Sequence, residues 1–264
     1  MMSLIRPQFA IPAVMAALIA FSAPAALAQT GEYKPEVFQA GKDVVWVPTA
    51  DELVGRMLDM AKVTKDDIVY DLGSGDGRTV IAAAKRGARS YGIEYNPELV
   101  ELSKKNAAAA GVANLATFEK ADIFESDYSK ATVITLFLLP SLNERLRPTI
   151  LKQKPGTRVV SNTFPMGDWE PDDTATVGAA DCSSWCRALL WIVPADVAGD
   201  WRLGNQDLKL TQKYQMLSGT LGSTPIADAK MNGAEISFTA GGTKYVGAVD
   251  GKTMKGGNWS ATRK

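Results

Sequence analysis

A chain of 264 residues can hold one large domain or two modest ones, and its 29 basic side chains equal its 29 acidic ones. That balance leaves no basic field for a phosphate backbone, so a nucleic-acid partner has no electrostatic support. Histidine is absent and there are two cysteines. Imidazole chemistry and a structural zinc site are thereby excluded, leaving carboxylates, hydroxyls, amides, aromatics and any bound cofactor to carry a reaction.

The first residues read as an export signal. Arg6 is the only charge before Glu32, Ile11 to Phe21 is apolar and alanine-rich, and Ala26-Leu27-Ala28 forms a small-residue cleavage site. Residues 1–28 are therefore expected to be removed, with a mature chain starting at Gln29. The rival, an uncleaved anchor over Phe9 to Ala28, is interrupted by Pro12 and Pro24. Export predicts a periplasmic or secreted protein with no stable membrane span after cleavage.

Thr49-Ala50-Asp51-Glu52 has the form of a capping box, and Leu53, Val54, Met57, Leu58 and Ala61 then repeat at helical spacing. Ile68 to Leu72 reads as a buried strand. A glycine loop follows, then a helix with Val80, Ile81 and Ala84 that ends at Gly87. Ser90 to Ile93 is a short strand ending at Glu94. Asn96-Pro97 opens a third helix that runs to Gly111. Ala116 to Lys120 is a strand followed by Asp122, and Ala131 to Phe137 is β-prone. Ser141 to Glu144 repeats the capping-box form and opens a helix that Pro148 bends or shortens. Arg158 to Thr163 is a further strand.

Alternating strands and helices predict an α/β fold with a mostly parallel sheet covered on both faces, and a ligand at the carboxyl ends of the strands. Asp71, Glu94, Asp122 and Phe137 all stand at or just past such ends. Cys182 and Cys186 flank three residues. In an oxidising compartment they are expected to form a disulfide that fixes a hairpin end. The spacing is not the C-x-x-C of a redox-active pair.

From Val197 the helical period is lost and glycines become frequent. Asn232-Gly233, Gly241-Gly242 and Asp250-Gly251 are hairpin signals. Leu208, Leu210, Tyr214 and Met216 share one parity, as do Ile236 and Phe238, and Tyr245, Gly247 and Val249. Residues 29–196 are thus expected to form the main domain and residues 197–264 a small antiparallel β unit. Roughly five strands are expected there, too few for a full eight-stranded barrel.

The loop after the first strand decides the ligand. Asp71-Leu72-Gly73-Ser74-Gly75-Asp76-Gly77 follows D-x-G-x-G-x-G. A dinucleotide fingerprint needs G-x-G-x-x-G, and here Arg78 stands where its last glycine should be. The pattern resembles motif I of the class I S-adenosylmethionine-dependent methyltransferases. The resemblance implies a Rossmann-like fold, S-adenosyl-L-methionine as cofactor and a role for each position. Asp71 orients the loop and the methionine part, and Gly73, Ser74, Gly75, Asp76 and Gly77 wrap methionine and ribose. Glu94 accepts from the ribose hydroxyls. Asp122 accepts from the adenine amino group while Ile123 and Phe124 stack on the ring, and Phe137 completes the crevice.

Motif I, GIEYNPELVELSKKNA, TLFLLPSLNERLRP and KPGTRVVSNTFPMGDWEPD together resemble the small protein-lysine methyltransferases of the mitochondrial adenine nucleotide translocase and ATP synthase. The similarity runs from about Val44 to Pro194; the export signal and the glycine-rich tail depart from that family. The D/N-P-P-Y/F loop of amino-methylating nucleic-acid enzymes is replaced by Phe137-Leu138-Leu139-Pro140. An acceptor lysine must lose a proton before attack, which an apolar channel favours by desolvation. Trp46, Phe137, Phe164 and Trp169 are candidates to line it. Asp168 and Glu170 are candidates to orient the amine, and Asp168, Trp169 and Glu170 are the candidate catalytic segment. A small-molecule methyltransferase and a non-catalytic cofactor-binding envelope protein are the alternatives.

Overall fold

The computed structural model describes residues 33–264, so the expected export signal lies outside it. The helices are α1 (Asp51–Met60), α2 (Arg78–Lys85), α3 (Pro97–Ala109) and α4 (Pro140–Ile150). Seven strands form one sheet: β1 (Ile68–Leu72), β2 (Arg89–Glu94), β3 (Ala116–Lys120), β4 (Val133–Leu136), β5 (Arg158–Asn162), β6 (Asp173–Thr176) and β7 (Arg187–Ile192). Their order is β3-β2-β1-β4-β5-β7-β6. The first five are parallel to one another; β7 runs antiparallel to β5 and β6. The chain reverses its direction of travel across the sheet between β1 and β4, which places a ligand crevice outside their carboxyl ends.

Strand alternation divides the core between the two faces of the sheet. Val133, Val160 and Leu190 join Leu53, Met57 and Leu58 of α1 in one cluster. Their immediate neighbours Ile134, Val159 and Leu189 join Leu146 and Ile150 of α4 in the other. Both faces are dry, and the strands accordingly read as continuous apolar runs. At the amino-terminal edge Arg158 pairs with Asp67 and donates to the Ala61 carbonyl at 2.7 Å, tying β5 to the turns before β1.

Local capping departs from expectation twice. The cap of α1 is Ala50, with no side-chain cap bond. Thr49 is drawn away because its Oγ1 accepts from Asn162 Nδ2 at 3.2 Å. Helix α4 begins at Pro140, whose fixed φ suits a first turn, so Ser141 is already inside it; the helix also continues past Pro148 to Ile150. Asn96 caps α3 as expected, accepting from the Glu98 amide at 2.8 Å.

The carboxyl-terminal region overturns the expectation of a partial barrel. Strands β8 (Gly199–Leu203), β9 (Gln206–Lys213), β10 (Met216–Leu221), β11 (Thr224–Asn232), β12 (Glu235–Ala240), β13 (Thr243–Asp250), β14 (Thr253–Gly256) and β15 (Ser260–Arg263) form a closed antiparallel barrel. Eight strands fit because the connections are so short. Four turns escaped notice in the sequence, and three of them hold a residue at positive φ: Gly204 (+55°), Tyr214 (+55°) and Gly222 (+59°). Tyr214 therefore turns the chain, and the parity drawn through it fails: Leu208 and Leu210 face inward while Met216 is exposed. Trp201, Leu208, Met231, Phe238 and Met254 fill the interior.

Sheet and barrel belong to one compact unit. The β9–β10 turn docks on the segment after β5. Trp169 Nε1 donates to Gln215 Oε1 at 2.9 Å, Gln215 Nε2 donates to the Glu170 carbonyl at 2.8 Å, and the Tyr214 ring stacks on Trp169.

Candidate active site

The crevice is built from backbone first. Gly73, Gly75 and Gly77 hold φ of +84°, +54° and +83°, a conformation that costs an L side chain and costs glycine little. The amides of Gly73 and Ser74 donate to the Ile93 carbonyl at 2.8 and 3.0 Å, pinning the loop to the end of β2. Ser103 Oγ donates to the Gly75 carbonyl and Asn106 Nδ2 to the Asp76 carbonyl, each at 2.9 Å, so α3 grips the same loop from its other side.

Around this loop the strand ends converge as expected. One crevice is lined by Asp71, Gly73, Ser74, Gly75, Asp76, Glu94, Asp122, Ile123 and Phe137. Two expected ligand positions do not line it, Phe124, whose ring lies under the Arg145 guanidinium, and Gly77. A Cβ there would stand 2.8 Å from the Phe118 ring, so this glycine lets α2 start close against β3 and α3.

Each carboxylate has a defined state. Asp71 is buried and accepts from Thr135 Oγ1 at 2.6 Å. Burial pushes its pKa up to about 7, with Glu94 and Asp76 adding to the rise. Glu94 accepts the Gly75 amide through Oε2 and the Asn96 amide through Oε1, both at 2.9 Å. Each oxygen keeps lone-pair capacity for a ligand hydroxyl. Asp76 is held by Arg78, whose Nη2 lies 2.7 Å from Oδ2 and whose Nη1 reaches the Thr49 carbonyl at 2.8 Å. Asp122 accepts the Phe124 amide at 2.9 Å and pairs with Lys42, which holds its carboxyl below the usual range.

Lys42 belongs to a strap that the sequence did not reveal. Residues 39–49 line the crevice. They fold back on themselves through Phe38 N–H to the Trp46 carbonyl and Trp46 N–H to the Gln39 carbonyl, both 2.9 Å. Trp46 lies against the glycine loop, and a Cβ on Gly75 would come within 2.6 Å of its Nε1. The signal available beforehand was the apolar run Val44 to Pro48 just ahead of α1. Tyr95, Leu138 and Leu142 are further lining residues that were not anticipated.

The candidate acceptor residues divide. Phe137 lines the crevice and stacks on Phe164 with ring centroids 6.1 Å apart. Asp168, Trp169 and Glu170 are not brought to it. Trp169 is fully buried under the barrel. Asp168 pairs with Arg147 and Lys213 and accepts from the Tyr214 hydroxyl at 2.7 Å, bonds that hold its carboxyl well below the usual range. Glu170 offers its backbone carbonyl to Gln215. These three residues fasten barrel to sheet. Cys182 and Cys186 are disulfide-bonded, with Cα atoms 5.6 Å apart. Among the described residues no cluster of side chains is arranged to hold a metal ion.

The residues present fit S-adenosylmethionine. The glycine loop leaves no room for added Cβ atoms, Glu94 is preset by two amides, and Asp122 stands beside Ile123 at the other end of the crevice.

Comparison with known proteins agrees with this geometry. A family model described as the ANTKMT methyltransferase domain matches residues 71–173. A protein-lysine N-methyltransferase of Saccharolobus islandicus (strain REY15A) is 47% identical over 137 residues, covering 51% of this chain and 85% of that protein. A lysine N-methyltransferase of Mus musculus, named for an ATP synthase component, is 35% identical over 145 residues, and the match spans 53% of this chain and 58% of that protein. A solved structure titled as an RNA methyltransferase from Salinibacter ruber in complex with S-adenosyl-L-homocysteine is 49% identical. It covers 57% of this chain and 96% of that one, with a TM-score of 0.53. The chain belongs to this family of S-adenosylmethionine-dependent methyltransferases.

Proposed function

We propose that this methyltransferase acts on the ε-amino group of lysine in proteins, and that it does so after export. The observation that carries the reading is the crevice wall at Phe137, which Phe164 backs and which, with Leu138, stands in the place of a polar acceptor loop. A bound S-adenosylmethionine supplies an electrophilic methyl group. The chain must then align a nucleophile and keep water out. Aromatic walls lower the pKa of an entering amine by desolvation, so the chain can deliver the neutral amine without an imidazole base. Two relatives bearing lysine methyltransferase names support the same acceptor. RNA as acceptor is disfavoured by the zero net charge and the crevice wall at Phe137.

Export is supported by the three-part amino-terminal pattern and by the Cys182–Cys186 bond, which suits an oxidising compartment. Among the described residues no helix is long and apolar enough to cross a membrane. The test is incubation of the purified protein with methyl-labelled cofactor and envelope extract, followed by acid hydrolysis. Label in ε-N-methyl-lysine supports the reading. Label released only by nuclease, or found only in small molecules, overturns it.

A further inference from the structure

Two of the exposed aromatic side chains, Phe38 and Trp185, stand next to each other. Phe137 in the crevice is followed outward by Trp185, ring centroid 6.1 Å away, and Trp185 by Phe38 at 6.4 Å. Phe38 is 60% exposed and Trp185 37% exposed. Both hold a left-handed backbone, with φ of +71° and +54°. A bulky residue adopts that conformation only where its surroundings enforce it, and such outliers concentrate at functional sites.

The enforcing element for Trp185 is the disulfide. Cys182 is buried in the α1 face of the core and Cys186 packs against it. The Cys186 carbonyl accepts the Val177 amide at 2.9 Å, closing the loop between β6 and β7. With both ends anchored, the residue just before Cys186 must point outward, over Phe137. Phe38 is set by the strap, through its amide bond to the Trp46 carbonyl. Two segments from distant parts of the chain therefore extend Phe137 to the surface. Both lie outside the region matched by the family model.

We propose that Phe38, Trp185 and Phe137 form the acceptor passage, a ramp that receives a lysine side chain from an extended protein segment, with the Cys182–Cys186 bridge holding its middle ring in place. This rests on the lysine reading above. Four methylenes lie well on aromatic faces, and an ammonium group is attracted to the ring quadrupole. Charges of both signs flank the rings, Lys34 among them. Glu36, Asp43 and Asp181 are exposed on the same two segments, while Lys42 is engaged by Asp122 and Arg187 donates to the Thr163 carbonyl. The passage is continuous with the crevice, since Phe137 belongs to both.

The test uses the full chain, methyl-labelled cofactor and two lysine-bearing probes, β-casein and poly-L-lysine. Trp185→Ala is expected to raise the KM for β-casein about tenfold, the size of a lost aromatic–cation contact. The Kd for S-adenosylhomocysteine should stay within about twofold, since the ring touches no proposed cofactor ligand except Phe137. Trp185→Phe should restore most of the loss, and Cys182→Ser/Cys186→Ser should behave like Trp185→Ala. Phe38→Ala, at an exposed position, serves as the second variant if Trp185→Ala loses cofactor binding. Unchanged KM in Trp185→Ala and in the double serine variant, or in Phe38→Ala when it stands in, would overturn the passage while leaving the lysine reading intact. A cofactor-binding wild type that labels neither probe would overturn the lysine reading and the passage with it.

Discussion

The Glu94 carboxylate accepts the Gly75 amide at 2.9 Å, joining the end of β2 to the apex of the loop after β1. That bond holds two β–α units against each other at the position assigned to the ribose. Glu94→Ala removes both the ligand contacts and the brace. It should weaken S-adenosylmethionine binding by about 1.5–3 kcal/mol, roughly tenfold or more. Calorimetry giving equal affinity for the variant and the wild type would sink the ribose assignment.

Asp71 is expected to make cofactor binding depend on pH. Its pKa is pushed up to about 7 by burial, against an ordinary carboxylate value of 3.8. Between these values the unfolded chain holds fewer protons than the native one, so this residue's contribution to stability falls as pH rises. Above the folded pKa the native carboxylate is charged and gains from a cation beside it. If the methionine ammonium supplies that cation, affinity should tighten about tenfold from pH 6 to pH 8. The Asp71→Asn variant should show a flat profile. A wild-type profile that is also flat would remove Asp71 from the cofactor contacts.

The two sulfurs give a test of compartment. Exported protein, denatured without reductant, should show no free thiol on quantitative labelling. The closed loop is short, so losing the bond should cost only about 2 kcal/mol. Two free thiols per chain in material taken from the envelope would contradict both the bridge and the proposed location.

Cutting the chain before Val197 tests whether the barrel is an independent unit. Every crevice residue precedes it, so the shortened protein should still bind cofactor. It should also lose stability, because Trp169 and Trp191, both fully buried, lie beside the seat of the β9–β10 turn. The indole N–H of Trp169 would lose its partner Gln215, a loss of about 1–3 kcal/mol if the group stays buried. A folded truncation that fails to bind cofactor would mean that the barrel shapes the crevice.

Much of this site was legible in the sequence because its signals are local. The glycine loop needs φ values few other residues tolerate, and Asp71, Glu94, Asp122 and Phe137 follow strands that periodicity reveals. Trp169 was misjudged because an indole before a glycine-poor loop reads alike whether it faces a channel or a neighbouring unit. Its partner Gln215 stands 46 positions later. Lys42 was missed for the same reason, since nothing near it in the chain shows that it will meet Asp122, 80 positions on. The barrel was undercounted in part because Tyr214 turns the chain without a glycine, and an aromatic residue carries no turn signal; the glycine turns at Gly204 and Gly222 were overlooked.

The closure of the barrel fixes an order of events during synthesis. Its first strand, β8, pairs with β9 on one side and with β15 on the other. Strands β9 to β14 each pair only with the strands before and after them in the chain. As the polypeptide emerges from the ribosome, the meander from β8 onward can therefore zip up step by step. The ring itself stays open until the strand Ser260–Arg263 has been translated. Until then β8 and β14 each present an unpaired edge, the feature that invites pairing with another nascent chain. An export route that carries the chain unfolded would postpone that hazard to the far side of the membrane.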